Sequence, residues 1–382
     1  MKPNLAIYIH WPFCKSKCPY CDFNSHVTNS VNHEQWRKSY LKEISYFEDD
    51  IKQHNISSIF FGGGTPTLME PETAESIISH LQTITNFNND IEITLEGNPT
   101  SVEADKLENF KLAGVNRVSL GVQSLNASDL KFLGREHSSL EAIKAVETAQ
   151  RIFDNYSFDL IYARPEQTLK DWETELTQAL KIAGNHLSLY QLTIEKGTRF
   201  FSDYSKGAFK IPDEDLAADF YLLTREIMEA HGMPAYEVSN HAKPGFESRH
   251  NMSYWHYDDY LGIGPGAHGR ITKNGNKHAM MMSHKPEIWL DNVAKNNHSI
   301  QTDMLLDMDN VKDELVMMGL RVREGISRKR FVNIIGCDIE EAIPSAKIDK
   351  LRTNHLIELD EVGLRCTDKG MLLVNFIAAE LL

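Results

Sequence analysis

A chain of 382 residues, 41% hydrophobic and 25% charged, has room for one large domain and a smaller one. Its net charge of −14 argues against nucleic acid as a main partner and gives no electrostatic reason to bind anionic lipid, so membrane association is peripheral if it occurs. With no apolar run of membrane-spanning length and no cleavable leader before Leu5, cytoplasmic residence is expected, where the five cysteines stay reduced.

Residues 1–195 alternate short apolar strands with amphipathic helices. Strands are predicted at Leu5–His10, Ile56–Phe61, Ile91–Glu96, Asn116–Gly121, Ser157–Tyr162 and His186–Ile194. Between them come helices at His33–Gln53, Pro71–Ile84, Val102–Leu112, Leu140–Phe153 and Leu169–Ala183. This alternation predicts an α/β fold of parallel strands with helical crossovers, six units of an incomplete (β/α)6 barrel. Polar motifs fall near the ends of these strands, where a parallel barrel carries its site.

Residues 196–298 read as an extension of the barrel. A helix at Asp213–Gly232 begins with acidic residues and stops at glycine. Met233–Gly269, dense in Gly, Pro, His and aromatics, reads as a functional loop region. Residues 299–382 read as short helices, a hairpin near Leu359–Gly370 and a terminal helix. That pattern suggests a small winged-helix-like domain for packing or as a lid, since the segment is net acidic.

Three of the five cysteines lie in Cys14-Lys-Ser-Lys-Cys18-Pro-Tyr-Cys21, with no fourth nearby. Four thiolates would close a structural site; three on a four-iron cluster leave one iron open to an outside ligand. A zinc site would need a fourth ligand, which His10 or His26 could supply, although zinc motifs usually come as two separated close pairs. Trp11, Phe13, Tyr20 and Phe23 are expected to surround the thiolates with apolar surface. Cys337 and Cys366 are far from the motif and read as structural.

The run from Tyr8-Ile-His10-Trp-Pro-Phe-Cys14 through Cys21-Asp-Phe23 resembles the radical S-adenosylmethionine (radical SAM) superfamily. Within it, the resemblance is to the branch holding oxygen-independent coproporphyrinogen III oxidases and HemW-type heme chaperones. It continues through Gly62-Gly-Gly-Thr65-Pro66, Gly121-Val-Gln123-Ser, Tyr236-Glu-Val-Ser-Asn240, His250-Asn-Met-Ser-Tyr254-Trp255 and Gly262-Ile-Gly-Pro-Gly-Ala-His268. The resemblance implies a [4Fe-4S] cluster on Cys14, Cys18 and Cys21, with SAM on its open iron. It implies SAM contacts from Tyr8, Tyr20, Gly63, Gly64, Thr65, Glu96, Gln123, Arg135 and Asp159. Glycines 62–64 would let backbone approach the methionine portion, and Arg135 would pair with its carboxylate.

Two functions compete within that branch. The oxidase pattern has a further cysteine where this chain has Phe23, and an N-terminal extension where only 13 residues precede Cys14. Both differences favour a chaperone that binds heme and passes it to an acceptor protein, a respiratory-chain component being one candidate. Coproporphyrinogen oxidation is the alternative. His250, in His250-Asn251-Met-Ser-Tyr254-Trp255, is the expected heme ligand; His268 and the stretch Lys277–His284 are lesser candidates. One departure stands out: the family usually reads Tyr-Gly-Leu-Pro after the fifth strand, and this chain reads Tyr162-Ala163-Arg164-Pro165. Arg164 is expected either on the cavity floor, facing a propionate, or turned outward.

Overall fold

The computed structural model describes residues 2–28, 30–104 and 106–382, with the side chains of 101 and 102 excepted. Six apolar runs form the expected parallel strands: β1 (Asn4–Trp11), β2 (Asn55–Gly63), β3 (Phe87–Gly97), β4 (Arg117–Gln123), β5 (Asn155–Tyr162) and β6 (His186–Gln191). β7 (Asn240–Ala242) then runs antiparallel beside β6. β8 (Asp259–Ile263), β9 (His268–Lys273), β10 (Asn276–Met282) and β11 (Ile300–Leu305) extend the other edge. The sheet order is β11-β10-β9-β8-β1-β2-β3-β4-β5-β6-β7, with its ends unpaired among the described residues. The architecture is an α/β barrel that does not close.

The helices form where the sequence caps them and supplies one apolar face. α1 (His33–Tyr46) is capped by Asn32, and α2 (Pro71–Ile84) opens on proline at N1. α2 buries Ala74, Ile77, Ile78, Leu81 and Ile84, the helical spacing of a single stripe. α3 (Ser139–Ile152) and α4 (Leu169–Leu180) each start with a reciprocal capping box, Ser138–Glu141 and Thr168–Asp171. Together with all the parallel strands they build one continuous core.

Four expectations shift. The helix from His33 breaks at Phe47, which turns into the core, and a short turn Glu48–Ile51 follows. The helix over Val102–Leu112 appears as Ser101–Ala104 and Leu107–Leu112, with residue 105 outside the described residues. The sixth strand ends at Gln191, because Leu192 leaves it to pack with Leu133, Ile161 and Phe200. Within the stretch read as loop, β8 is a further parallel strand, paired with β1 from Leu5↔Asp259 to Ile9↔Ile263.

After β11 a second apolar core gathers residues 311–381 and Tyr257. Helices at Met308–Gly319, Arg328–Ile335, Ser345–Thr353 and Val374–Leu381 surround a three-stranded sheet, whose hairpin is Ile357–Leu359 with Gly363–Cys366. This is the helix-and-wing arrangement expected from the sequence.

The departure at 163–164 is structural. Ala163 holds φ of +55°, a left-handed conformation that glycine adopts without cost. Replacing Ala163 by glycine is expected to stabilise the fold by about 0.5–1 kcal/mol, the left-handed penalty less the added unfolded-chain entropy. A urea midpoint that stays level or falls would contradict this. Arg164 neither floors the cavity nor faces solvent. It is buried, with its guanidinium on Glu175 at 2.5 Å, on Asp129 at 3.0 Å and on the Ile161 carbonyl at 2.9 Å.

Candidate functional site

At the carboxyl ends of β1 to β5 the chain opens into a cleft of ≈ 990 Å³, part of it open solvent. The loop after β1 carries all three motif cysteines into its wall. That loop is pinned by the Cys21 N–H donating to the Cys18 carbonyl at 3.1 Å, and by a two-residue parallel ladder of Phe13–Cys14 with His26–Val27. Each sulfur has a polar neighbour. Thr65 Oγ1 donates to Cys14 Sγ at 3.5 Å, Arg135 Nη1 donates to Cys18 Sγ at 3.2 Å, and Ser25 Oγ lies 3.8 Å from Cys21 Sγ.

The first two of these contacts join into one network through Asn98, which the sequence reading missed. Its Nδ2 donates to Thr65 Oγ1 at 3.0 Å, and its Oδ1 accepts from Arg135 Nη2 at 2.5 Å. Arg135 Nη2 also reaches the Gly121 carbonyl at 2.8 Å. The signal for Asn98 was present: it lies just past the strand end Glu96-Gly97. Ser119 was missed too, and donates to Asp159 Oδ1 at 3.4 Å.

Nearly every predicted residue lines this cleft: Tyr20, Gly63, Gly64, Thr65, Glu96, Gln123, Arg135 and Asp159. Tyr8 does not line it. The glycines serve the protein first. Gly63 has φ of +108°, and a Cβ there would sit 2.5 Å from His10 Cε1; a Cβ on Gly64 would sit 2.6 Å from the Phe13 carbonyl oxygen. Gln123 also takes a left-handed φ, +70°, where β4 loses register with β5. Of the four aromatics expected around the thiolates, Tyr20 and Phe23 line the cleft. Trp11 and Phe13 pack edge-on against Trp36 instead.

Burial and a neighbouring acid set the cleft's electrostatics. Withdrawal from water, then the Asp159 charge, raises Glu96 to about 8, against the pull of the Gly63 N–H. Burial raises Asp159 to about 6, eased by the hydroxyls of Ser188 and Ser119. Both acids bind protons more tightly folded than unfolded. Their contribution to stability is therefore full below about pH 4 and is lost as pH rises through about 6 and then about 8. The ligand-free protein is expected to melt progressively lower across that range, and Glu96→Gln to flatten the upper part. A melting temperature independent of pH would contradict the assignment. Burial also raises the Cys14 thiol above its ordinary value.

A second cavity adjoins the first, sharing Phe23, Gly63 and Glu96 with it. Tyr8 lines this second cavity, with Phe60, Tyr254 and Tyr260 as aromatic walls. Among the described residues, no three His, Cys, Asp or Glu side chains are gathered tightly enough to hold a single metal ion. A cluster, with one thiolate per iron, does not ask that of them.

A family model described as the radical SAM superfamily matches residues 8–179, and a HemN C-terminal domain model matches residues 306–373. Heme chaperone HemW of Bacillus subtilis is 34% identical, covering 97% of this chain and 97% of its own length. A mitochondrial radical S-adenosyl methionine domain-containing protein 1 from Danio rerio is 35% identical over 99% of this chain and 86% of its own. The chain belongs to the radical SAM superfamily, in its HemW family. Among solved structures, coproporphyrinogen III oxidase (HemN) from Escherichia coli matches at 22% identity with a TM-score of 0.83, covering 100% of this chain and 90% of that one. That likeness establishes the fold.

In this HemW-family chain, Phe23 stands where the oxidase pattern has its further cysteine. It is 59% exposed and sits between the two cavities. His250, expected as a heme ligand, lines neither cavity. It is 1% exposed and stacks on Phe60 at 4.9 Å. Both its nitrogens are occupied, Nδ1 by Ser58 Oγ at 2.9 Å and Nε2 by the Tyr254 hydroxyl at 2.8 Å. Burial lowers its pKa to about 3, so the imidazole is neutral. Its geometry positions Tyr254, which does line the second cavity.

Proposed function

We propose that the protein is a heme chaperone of the HemW type, binding heme and delivering it to an acceptor protein while carrying a SAM-loaded [4Fe-4S] cluster. The observation that carries this reading is the cleft: three cysteines on one loop, each beside a hydroxyl or guanidinium, facing acids at the strand ends. The donor set fits a cluster. Cys14, Cys18 and Cys21 supply three thiolates, and donors to the sulfurs from Thr65, Arg135 and Ser25 tune its potential. When bound, the cluster with SAM supplies one-electron reductive cleavage of the sulfonium.

The chain's own residues bind and orient. Arg135 presents a guanidinium held by Asn98 and the Gly121 carbonyl, suited to the SAM carboxylate. Burial and the Asp159 charge disfavour the Glu96 carboxylate, so a positive group of SAM placed beside it would offset that cost. Asp159 and Gln123 offer acceptors for ribose hydroxyls, and Tyr8 and Tyr20 shape the apolar sides. Gly63, Gly64 and Thr65 complete the wall beside Cys14.

HemW-named relatives support the chaperone over the oxidase, as does Phe23 in place of the oxidase's cysteine. No helix among the described residues is long and apolar enough to cross a membrane. We place the protein in the cytoplasm, although relatives named as mitochondrial exist. The test is a heme titration of the anaerobically reconstituted protein, run beside an assay with coproporphyrinogen III, SAM and reductant. Stoichiometric heme binding without decarboxylation is expected; robust protoporphyrinogen formation would overturn the reading.

A further inference from the structure

We infer that heme sits in the second cavity and is ligated by His268 and His284. This inference rests on the chaperone reading and deepens it by naming the site. The cavity is an open depression spanning ≈ 1110 Å³, part of it open solvent, and its exposed lining is mostly apolar. Tyr8, Phe60, Tyr254 and Tyr260 give it flat aromatic walls, suited to a planar macrocycle. Three histidines line it, and they differ in what they can do. His10 is spent: its Nδ1 meets the Tyr8 hydroxyl at 3.0 Å and its Nε2 meets the Asn24 carbonyl at 2.9 Å.

His268 and His284 are exposed, and neither ring has a hydrogen-bond partner among the described residues. Their free ring nitrogens face the same cavity, unlike those of His10. Both residues belong to the fold's irregular joints. His268 opens β9 just after the Gly264–Ala267 turn, and His284 follows β10; the Asn24 side chain ties them together by donating to the Pro265 and His284 carbonyls, each at 2.9 Å. Met318, from the second core's first helix, closes one side. A heme held here would border the cysteine cleft through Phe23, Gly63 and Glu96.

The experiment is a heme titration of wild type, His250→Ala and the double variant His268→Ala/His284→Ala, read by the Soret band and by low-spin electron paramagnetic resonance. The double variant is expected to lose the bis-imidazole low-spin signal and to bind at least about 10-fold more weakly, while His250→Ala keeps that signal. Both substituted side chains are exposed, and matched circular dichroism and iron content will verify the fold. A double variant with wild-type spectrum and affinity overturns this site and leaves the chaperone reading standing. Wild type that binds no heme overturns both.

Discussion

Replacing Arg164 by leucine is expected to destabilise the barrel by about 3–5 kcal/mol, the usual consequence of removing one partner from a buried ion pair. The guanidinium is only 3% exposed and serves Glu175, which is itself buried. Glu175 also accepts from the Ser124 hydroxyl at 2.6 Å and the Leu125 N–H at 2.8 Å. Those two residues follow Gln123, so the pair anchors the loop that holds Gln123 in its left-handed turn at the cleft. Without Arg164 the Glu175 carboxylate is buried beside Asp129 with no cation. The companion variant Arg164→Met/Glu175→Gln removes both charges yet keeps an acceptor for Ser124 and Leu125. It is expected to recover more than half the loss, because Asp129 is 28% exposed and can be solvated. Urea unfolding followed by circular dichroism checks both. A single variant as stable as wild type would show that the network does not carry the loop.

Cys14→Ala is expected to abolish the cluster after anaerobic reconstitution, taking iron content and the absorption near 400 nm to background. Cys14 is the thiol whose backbone is fixed by the ladder to Val27 and whose sulfur meets Thr65, so neither Cys337 nor Cys366 can replace it. Cys366 is buried in the second core, where burial pushes its thiol up to about 12. Full iron content in the variant would refute the ligand assignment. Thr65→Ala is the milder control: the cluster should form, with its potential shifted by loss of a donor to sulfur.

What the sequence disclosed follows a physical division. Strand-end residues were legible because short apolar runs locate the strands, and a parallel barrel gathers whatever follows them. Glu96, Gln123 and Asp159 lie on or just after such strands, the family resemblance supplied their roles, and the structure brings them into one cleft with Cys14, which its cysteine spacing had marked. Contacts between distant segments were not legible. His250 looks like a ligand beside Tyr254 and Trp255, yet Ser58, 192 positions earlier, takes one of its nitrogens. Arg164 looks like a cation at a cavity floor, and only the packing of α4 shows Glu175 waiting for it. β8 was hidden because Tyr260-Leu-Gly-Ile is short and interrupted by glycine, which weakens the strand signal. The second cavity was hidden because its walls come from distant segments: β1, β2, the end of β3, the cysteine loop, Tyr254, β8, the joints around β9 and β10, and Met318.

In the proposed function the three-cysteine cleft holds a four-iron cluster whose free iron takes SAM. Electron paramagnetic resonance of the reduced, reconstituted protein before and after one equivalent of SAM tests it most directly. The expected result is a four-iron signal whose shape and g-values change when SAM is added, with the change lost in Arg135→Ala. A reduced signal untouched by SAM, or the absence of any four-iron signal in fully reconstituted protein, would contradict it.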